Sequence, residues 1–163
     1  MVDRDDSIMD KFLPDKINLT EKEKHDLIKV LNEKWATVVV ERLIRNGVEG
    51  FIEEWKEIAQ GVEKGIYSMP EEFDNDLSSR EILEDIMDVV NLKRKNKILE
   101  KIQPLDDIVK SKITFIDLEK EARDYDGHSK KTYLEHKLKW ISEHPKDKYW
   151  WYWGKFNDLK FEV

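Results

Sequence analysis

The chain has 163 residues, with 29 Lys and Arg against 36 Asp and Glu, which gives a net charge of −7 at pH 7. This length favours one domain with a hydrophobic core of its own. Aromatic residues make up 10% of the chain, too many for a disordered segment. The negative charge argues against sequence-independent binding to nucleic acid, which needs a basic surface against phosphate, but it is compatible with a basic protein partner.

Three absences narrow the class of protein further. There is no cysteine, so the chain has neither a disulfide framework nor a thiolate site. No apolar run approaches the roughly 18 residues that span a membrane. The first stretch, MVDRDDSIMDKFLPDK, lacks the apolar core of a signal peptide. We therefore expect a cytoplasmic protein that binds no membrane.

The first third of the chain predicts a loose arm followed by a helix. Residues 1–18 form the predicted arm. Thr20 with Glu23 is a capping box, in which each side chain binds the other residue's backbone N–H. Apolar residues then keep helical spacing over residues 27–47, up to an Asn-Gly pair. Three consecutive valines at 38–40 leave a strand possible there, although the flanking period favours a helix.

The centre of the chain predicts two amphipathic helices joined by an acidic turn. The first covers residues 48–65 and ends near its last two glycines, which tolerate a left-handed backbone. The second is predicted to begin at Ser78 as its N-cap. The Glu81 side chain can in return accept a hydrogen bond from the Ser78 backbone N–H. Leu77 and Ile82 flank that cap as a hydrophobic staple.

The second half of the chain predicts three further helices. Residues 98–103 form a short helix that Pro104 ends, and residues 105–118 form another. A loop at 124–127 precedes a last helix over residues 129–144. The sequence therefore predicts an all-α, single-domain bundle of five to six helices with a short aromatic C-terminal extension.

Acidic side chains on the two central helices recur at i, i+3 spacing, which places them on shared helix faces. Two facing helices with such pairs can hold Mg2+, because hard cations prefer clustered oxygens. The alternative interpretation is that these acids form solvated faces opposite the apolar stripes. The candidate metal ligands are Glu54, Glu57, Glu84, Asp85 and Asp88.

This arrangement resembles the all-α MazG-like nucleotide pyrophosphohydrolases, whose signature is ExxE on one helix and ExxD on the next. The resemblance covers residues 51–90, where EWKE at 54–57 matches the first half. For the second half the chain offers EILE at 81–84 or DIMD at 85–88, and neither is ExxD. The resemblance implies a Mg2+-dependent enzyme whose metal polarises phosphate oxygens and activates water.

The C-terminal extension carries five consecutive aromatic residues. In an extended segment alternate side chains point to opposite faces, so one set packs on the bundle and the other stays partly exposed. Exposed Trp and Tyr mark binding hot spots, which makes the extension a candidate partner-binding surface or homo-oligomer interface. The alternatives are a plug for an open end of the bundle, or base stacking, which usually needs a basic groove. The residues are Tyr149, Trp150, Trp151, Tyr152 and Trp153.

The predicted start of the second central helix also carries a structural latch. Asp76 lies just before that helix, where the helix dipole favours an anion. Arg80, in the first turn, can pair with Asp76 or reach a carboxylate on a neighbouring helix as a bidentate ion pair. Together with Ser78 and Glu81, these residues would fix how the turn docks, without forming a binding site.

No catalytic set is recognisable, because the chain lacks paired histidines, a GxSxG nucleophile and a glycine-rich phosphate loop. The order of its features resembles an uncharacterised family of small bacterial proteins. The shared pattern is an EW pair (54–55), a (Y/F)xNDLxxR element (73–80), an LD pair (105–106) and a Trp-rich end (149–153). The resemblance implies an immunity- or antitoxin-like protein and assigns no catalytic residue.

Together these features favour a non-enzymatic protein-binding module without a cofactor, an immunity- or antitoxin-like inhibitor of a basic partner protein. The alternative is a Mg2+-dependent MazG-like nucleotide pyrophosphohydrolase that uses the five central acids. The two functions differ in one geometric expectation, because the enzyme needs those acids in one cleft within reach of a metal ion.

Overall fold

The computed structural model describes residues 16–67, 70–157 and 159–161. Most of the predicted N-terminal arm lies outside these ranges. Within them the chain forms six α-helices, one 3-10 helix and four strands of two or three residues. The predicted all-α bundle with an aromatic C-terminal extension is therefore confirmed. None of the helices in these ranges combines the length and the apolar character that crossing a membrane requires.

Short strands tie the C-terminal extension to two loops of the bundle. The helices are α1 (Glu21–Lys34), α2 (Thr37–Lys64), α3 (Pro70–Val89), α4 (Leu92–Ser111), α5 (Leu118–Asp124), α6 (Lys130–Glu143) and the 3-10 helix Trp150–Trp153. The strands are β1 (Ile66–Tyr67), β2 (Ile113–Phe115), β3 (Gly154–Phe156) and β4 (Lys160–Phe161). β1 pairs in parallel with β4, and β2 pairs antiparallel with β3.

The first predicted helix is broken at Trp35. α1 begins with the predicted capping box: the Thr20 hydroxyl accepts from the Glu23 N–H at 3.1 Å, and the Glu23 carboxylate accepts from the Thr20 N–H at 2.9 Å. At Trp35 the backbone becomes extended, and the indole Nε1 donates to Asp85 on α3 at 2.8 Å. The three valines then lie in α2. At the predicted Asn-Gly helix end the backbone leaves the helical conformation at Gly47 (φ 70°), so α2 consists of two helical parts joined by a kink there.

α2 is the central helix, which contacts α1, α3 and α4. It ends at Gly65, whose left-handed φ of 77° is the glycine end that the sequence predicts. Gly61 lies so close to β1 that a Cβ there would stand 2.5 Å from the Tyr67 ring. The apolar stripe of α2 is buried as predicted and consists of Val48, Phe51, Ile52, Trp55, Ile58, Ala59 and Val62.

α3 begins at Pro70, about two turns before the predicted N-cap. The predicted start at Ser78 is therefore wrong, and residues 70–76 of the predicted acidic turn are helical. Phe73 is 5% exposed and anchors the added turns in the core, while Pro70 lacks the N–H that a first turn leaves unbonded. Inside the helix the Ser78 hydroxyl donates to the Asn75 carbonyl at 2.7 Å, and the Glu81 side chain is buried instead of capping.

α4 passes through Pro104 without ending. The proline removes one backbone N–H from the helix, but the apolar stripe of Ile98, Ile102 and Val109 continues across it and is fully buried. The prediction of two helices divided at this proline is therefore wrong. The chain leaves the helix after Ser111 and forms β2, which binds β3 of the C-terminal extension.

The aromatic C-terminal extension belongs to the core, so the prediction that alternate aromatic side chains stay exposed for a partner is wrong. The segment winds into a 3-10 helix, with about three residues per turn, and does not extend. Two of its rings pack edge-on against Trp55 of α2, at centroid distances of 6.3 and 6.4 Å. Tyr152 is half-buried, and the other four residues are at most 8% exposed: Tyr149, Trp150, Trp151 and Trp153.

Candidate functional site

The five acids predicted as metal ligands do not gather in one cleft. Four of them bind four different cations of the chain, and Glu57 is exposed to solvent. Within the part of the chain that the structure describes, no three His, Cys, Asp or Glu side chains form a group that could hold a metal ion. The ion pairs are Arg42–Glu54, Arg80–Glu84 (2.7 Å), Lys34–Asp85 (2.8 Å) and Lys148–Asp88 (2.7 Å).

Asp85 departs most clearly from the expectation that these acids face water. It is 7% exposed, and its carboxylate accepts from Lys34 Nζ and from Trp35 Nε1, each at 2.8 Å. Burial raises the pKa of Asp85, although both hydrogen bonds lower it. Burial lowers the pKa of Lys34, but the hydrogen bonds and charge attraction of Asp85 and Glu81 together outweigh burial and raise that pKa overall. These contacts fasten α1 to α3.

Arg80 holds α3 to α4 through Asp106. Its Nε and Nη2 donate to the two carboxylate oxygens of Asp106 at 3.0 and 2.9 Å, and the two side chains are only 5% and 6% exposed. Trp55 Nε1 donates to the same carboxylate at 2.9 Å, and Arg80 Nη1 donates to Glu84 at 2.7 Å. Arg80 therefore reaches a carboxylate on a neighbouring helix, one of the two partners that the sequence allows, rather than Asp76.

This Arg80–Asp106 latch differs from the predicted latch in its other members. Ser78 binds a carbonyl of its own helix, and Glu81 binds Lys34 on α1. The Arg80 guanidinium lies 4.7 Å from the centroid of the Trp151 ring, so the latch also fixes the aromatic segment. Burial opposes the charged form of Arg80, but the hydrogen bonds and charge attraction of Asp106 and Glu84 together outweigh burial and raise the Arg80 pKa. We conclude that this charge pair is part of the core.

A recess between α2, β1 and α3 collects carboxylates, and we call it the acidic recess. Tyr67 lies in its wall and donates its hydroxyl to Asp76. Arg42 binds Glu54 beside it. The charges that shift the titration of Glu57 are all carboxylates. The charged residues that line the recess are Glu54, Glu57, Glu72, Asp76 and Lys64.

Negative charge in the acidic recess is only partly compensated. Glu57 is exposed but partly screened from water, which raises its pKa, and four neighbouring carboxylates raise it further, that of Asp76 most strongly. Burial raises the pKa of Asp76 as well, and Glu54 and Glu72 add to the rise although the hydrogen bond from Tyr67 opposes it. A raised carboxyl pKa means that the charged form is disfavoured, so a cation in the recess would stabilise it.

Sequence reasoning finds part of this recess and assigns its members to other roles. The sequence predicts Glu54 and Glu57 as metal ligands and Asp76 as a latch residue. Glu72 and Tyr67 are not identified, because the predicted acidic turn hides the helical register of α3. Once α3 begins at Pro70, residues 72 and 76 stand at i, i+4 on one helix face, and this spacing is the signal that could have found them.

Glu57→Gln should raise the melting temperature at pH 7 by about 1 °C, because solvent-exposed charge interactions are weak. The folded protein binds a proton at Glu57 at higher pH than the unfolded chain does. Stability therefore falls as the pH rises above the unfolded pKa of about 4.3, and it is regained as the pH falls. The gain from the substitution should accordingly disappear near about pH 3.

Thermal unfolding measured over this pH range checks the sign. Glu121→Gln is the control, because Glu121 is also exposed but lies on α5 and not in the recess. A lower melting temperature for Glu57→Gln than for the parent protein at pH 7 would contradict the repulsion in the recess.

The chain matches no protein-family model, no curated protein and no solved structure. The two resemblances drawn from the sequence therefore depend on their motifs alone, and the function has to be argued from the geometry of the described residues.

Proposed function

We propose that this protein is a non-enzymatic, cytoplasmic binding module, an immunity- or antitoxin-like inhibitor that holds a basic partner protein at its acidic recess. One observation carries the proposal. Four carboxylates line one recess, where burial and mutual repulsion raise the pKa of Glu57 and of Asp76. A cationic side chain of a partner would relieve that repulsion, so the free protein already favours a positively charged ligand.

An arginine side chain suits the acidic recess better than a lysine. Its planar guanidinium can donate to two carboxylate oxygens at once, and Glu57 and Asp76 provide such oxygens on two facing helices. The Tyr67 side chain lines the same recess beside these carboxylates. The net charge of −7 would attract a basic protein from a distance, which speeds association at low salt.

The Mg2+-dependent alternative has no comparable support. It needs the five central acids in one cleft, and the described residues do not supply that geometry. Glu84, Asp85 and Asp88 are each bound by a cation of the chain itself. We therefore treat pyrophosphohydrolase activity as the competing outcome of the experiment.

Co-expression with the product of the neighbouring gene tests the proposed function. We expect that product to be a basic protein that stops growth when it is expressed alone, and we expect this protein to restore growth. The two proteins should co-purify at low salt. The association rate should fall at least about tenfold when the salt concentration rises from about 0.05 to 0.5 M, because the attraction is electrostatic.

Two charge-reversed double variants locate the binding surface. Glu57→Lys with Glu72→Lys reverses the acidic recess, and Glu100→Lys with Glu121→Lys makes the same change in net charge at exposed positions elsewhere. We expect the recess variant to lose co-purification and growth rescue, and the control variant to keep both. Equal losses would reject the recess as the binding surface. A neighbouring product that is neither basic nor toxic, or Mg2+-dependent release of pyrophosphate from a nucleoside triphosphate, would overturn the proposed function.

A further inference from the structure

The hairpin of α5 and α6 is attached to the bundle by few residues. All 14 residues of α6 are described, and Ile141 alone among them is buried. The hairpin packs on the aromatic segment through a small apolar cluster whose buried members are Leu118, Ile141 and Trp153. His144 ends α6 directly beside this cluster, and Trp153 Nε1 donates to its carbonyl at 2.9 Å. The His144 side chain therefore lies where the hairpin meets the aromatic segment.

Both ring nitrogens of His144 face oxygen acceptors. Nδ1 lies 2.9 Å from the Trp140 carbonyl oxygen, which can only accept, so Nδ1 carries a proton. Nε2 lies 3.3 Å from Oε1 of Glu81 on α3. The Tyr152 hydroxyl donates to that same oxygen at 2.9 Å, so Oε1 acts as an acceptor there too. Only the doubly protonated imidazolium can donate in both directions.

The buried charges around Glu81 balance only when His144 is a cation. The Glu81 side chain is 4% exposed and lies 2.7 Å from Lys34 Nζ. Lys34 Nζ also lies 2.8 Å from Asp85, whose side chain is 9% exposed. With an imidazolium the set contains two cations and two carboxylates. With a neutral imidazole it keeps one excess negative charge away from water, which is costly.

Aromatic rings surround the same imidazole. Trp140 stacks on it at 4.3 Å, and Tyr149 and Tyr152 meet it edge-on at 5.0 and 5.7 Å. The stacked face of Trp140 favours a cation over a neutral group. The other charged groups at this place are Lys137, which lies over Trp140, and the Lys148–Asp88 ion pair, whose lysine lies over Tyr149.

We propose that His144 is a pH-sensitive clasp, which holds the α5–α6 hairpin on the bundle while it is protonated and loosens the hairpin when it loses a proton. Deprotonation removes the hydrogen bond from Nε2 to Glu81 and leaves the buried set negative. The hydrogen bond from Nε2 exists only while the ring is doubly protonated, so it is present in the protonated form and lost with the proton. The loosened hairpin would uncover the apolar cluster around Trp153.

Hydrogen exchange of the full chain between about pH 5.5 and 8.5 tests the clasp, after correction for the intrinsic pH dependence of exchange. We expect the amides of α6 to exchange about tenfold faster at the upper end of this pH range. The loss of one charged hydrogen bond changes an opening equilibrium by about that factor. Amides of α2 should not change. His136→Gln is the matched control, since His136 is exposed on the same helix, and it should behave as the parent protein does.

His144→Gln removes the titrating group. We expect α6 to exchange at the fast, alkaline rate at every pH in that variant. Glu81→Gln keeps the size of the side chain but removes its charge. The pH at which the exchange of α6 amides accelerates should be lower in this variant. The His144 ring titration, followed by NMR in the unaltered chain, should share one midpoint with the change in α6 exchange. A pH-independent α6 in the parent protein, an unchanged profile in His144→Gln, or two different midpoints would each overturn the clasp.

Discussion

Replacing Arg80 with alanine should lower the free energy of unfolding by about 3–5 kcal/mol, the usual cost of removing one partner from a buried ion pair. The substitution leaves Asp106 in the core without its cation, although the indole of Trp55 still donates to it. It also removes the guanidinium that lies over Trp151. Because α3, α4 and the aromatic segment meet at this group, the whole bundle should unfold at lower denaturant.

Urea unfolding followed by tryptophan fluorescence measures this change. The free energy of unfolding of Arg80→Lys should lie between those of the parent protein and Arg80→Ala. One ammonium group cannot donate in two parallel directions as a guanidinium does. Arg123→Ala is the control, since Arg123 pairs with Glu119 on the exposed α5 at 3.6 Å, and it should cost less than about 1 kcal/mol. A cost for Arg80→Ala no larger than that of the control would show that the latch is not required for stability.

Local signals predicted the fold class and several helix ends, because caps and glycine ends act within a few residues of one another. The Thr20–Glu23 capping box forms as predicted, and α2 ends at Gly65 in a left-handed conformation. The periodic stripe around Trp55 is buried as predicted. In each case the residues that decide the structure lie within one or two helical turns.

Tertiary contacts overrode local signals where the two disagreed. Ser78 and Glu81 have the spacing of a helix start, but Phe73 is buried and α3 begins earlier. Trp35 interrupts a helical period because its indole reaches Asp85 on another helix. Neither the burial of one aromatic ring nor a contact across the bundle can be read from spacing along the chain.

The roles of the central acids were equally hidden, because their cations come from distant parts of the sequence. Lys34 and Asp85 are 51 residues apart, and Arg80 and Asp106 are 26 residues apart. Spacing along one helix shows which acids share a face but not which cation packs against that face. The cations that meet Glu54, Asp85 and Asp88 are seen only once the helices are packed together.

Replacing Trp151 with alanine should lower the melting temperature by about 6–20 °C, since removing a buried tryptophan costs about 3–5 kcal/mol in a chain of this size. Trp151 is 0% exposed. Its ring meets Trp55 at 6.4 Å, Trp150 at 5.7 Å and Tyr149 at 5.6 Å, so the variant opens a cavity among aromatic rings from α2 and the C-terminal extension.

Phe115→Ala is the matched control for the loss of an aromatic ring, because Phe115 lies on β2 and is 44% exposed. Removing it should change the melting temperature far less, because nearly half of the residue's surface is already exposed to solvent. Differential scanning calorimetry of both variants distinguishes the two roles considered for the aromatic segment. A folded Trp151→Ala variant of unchanged stability that no longer binds its partner would make the segment a partner surface after all, and would contradict its place in the core.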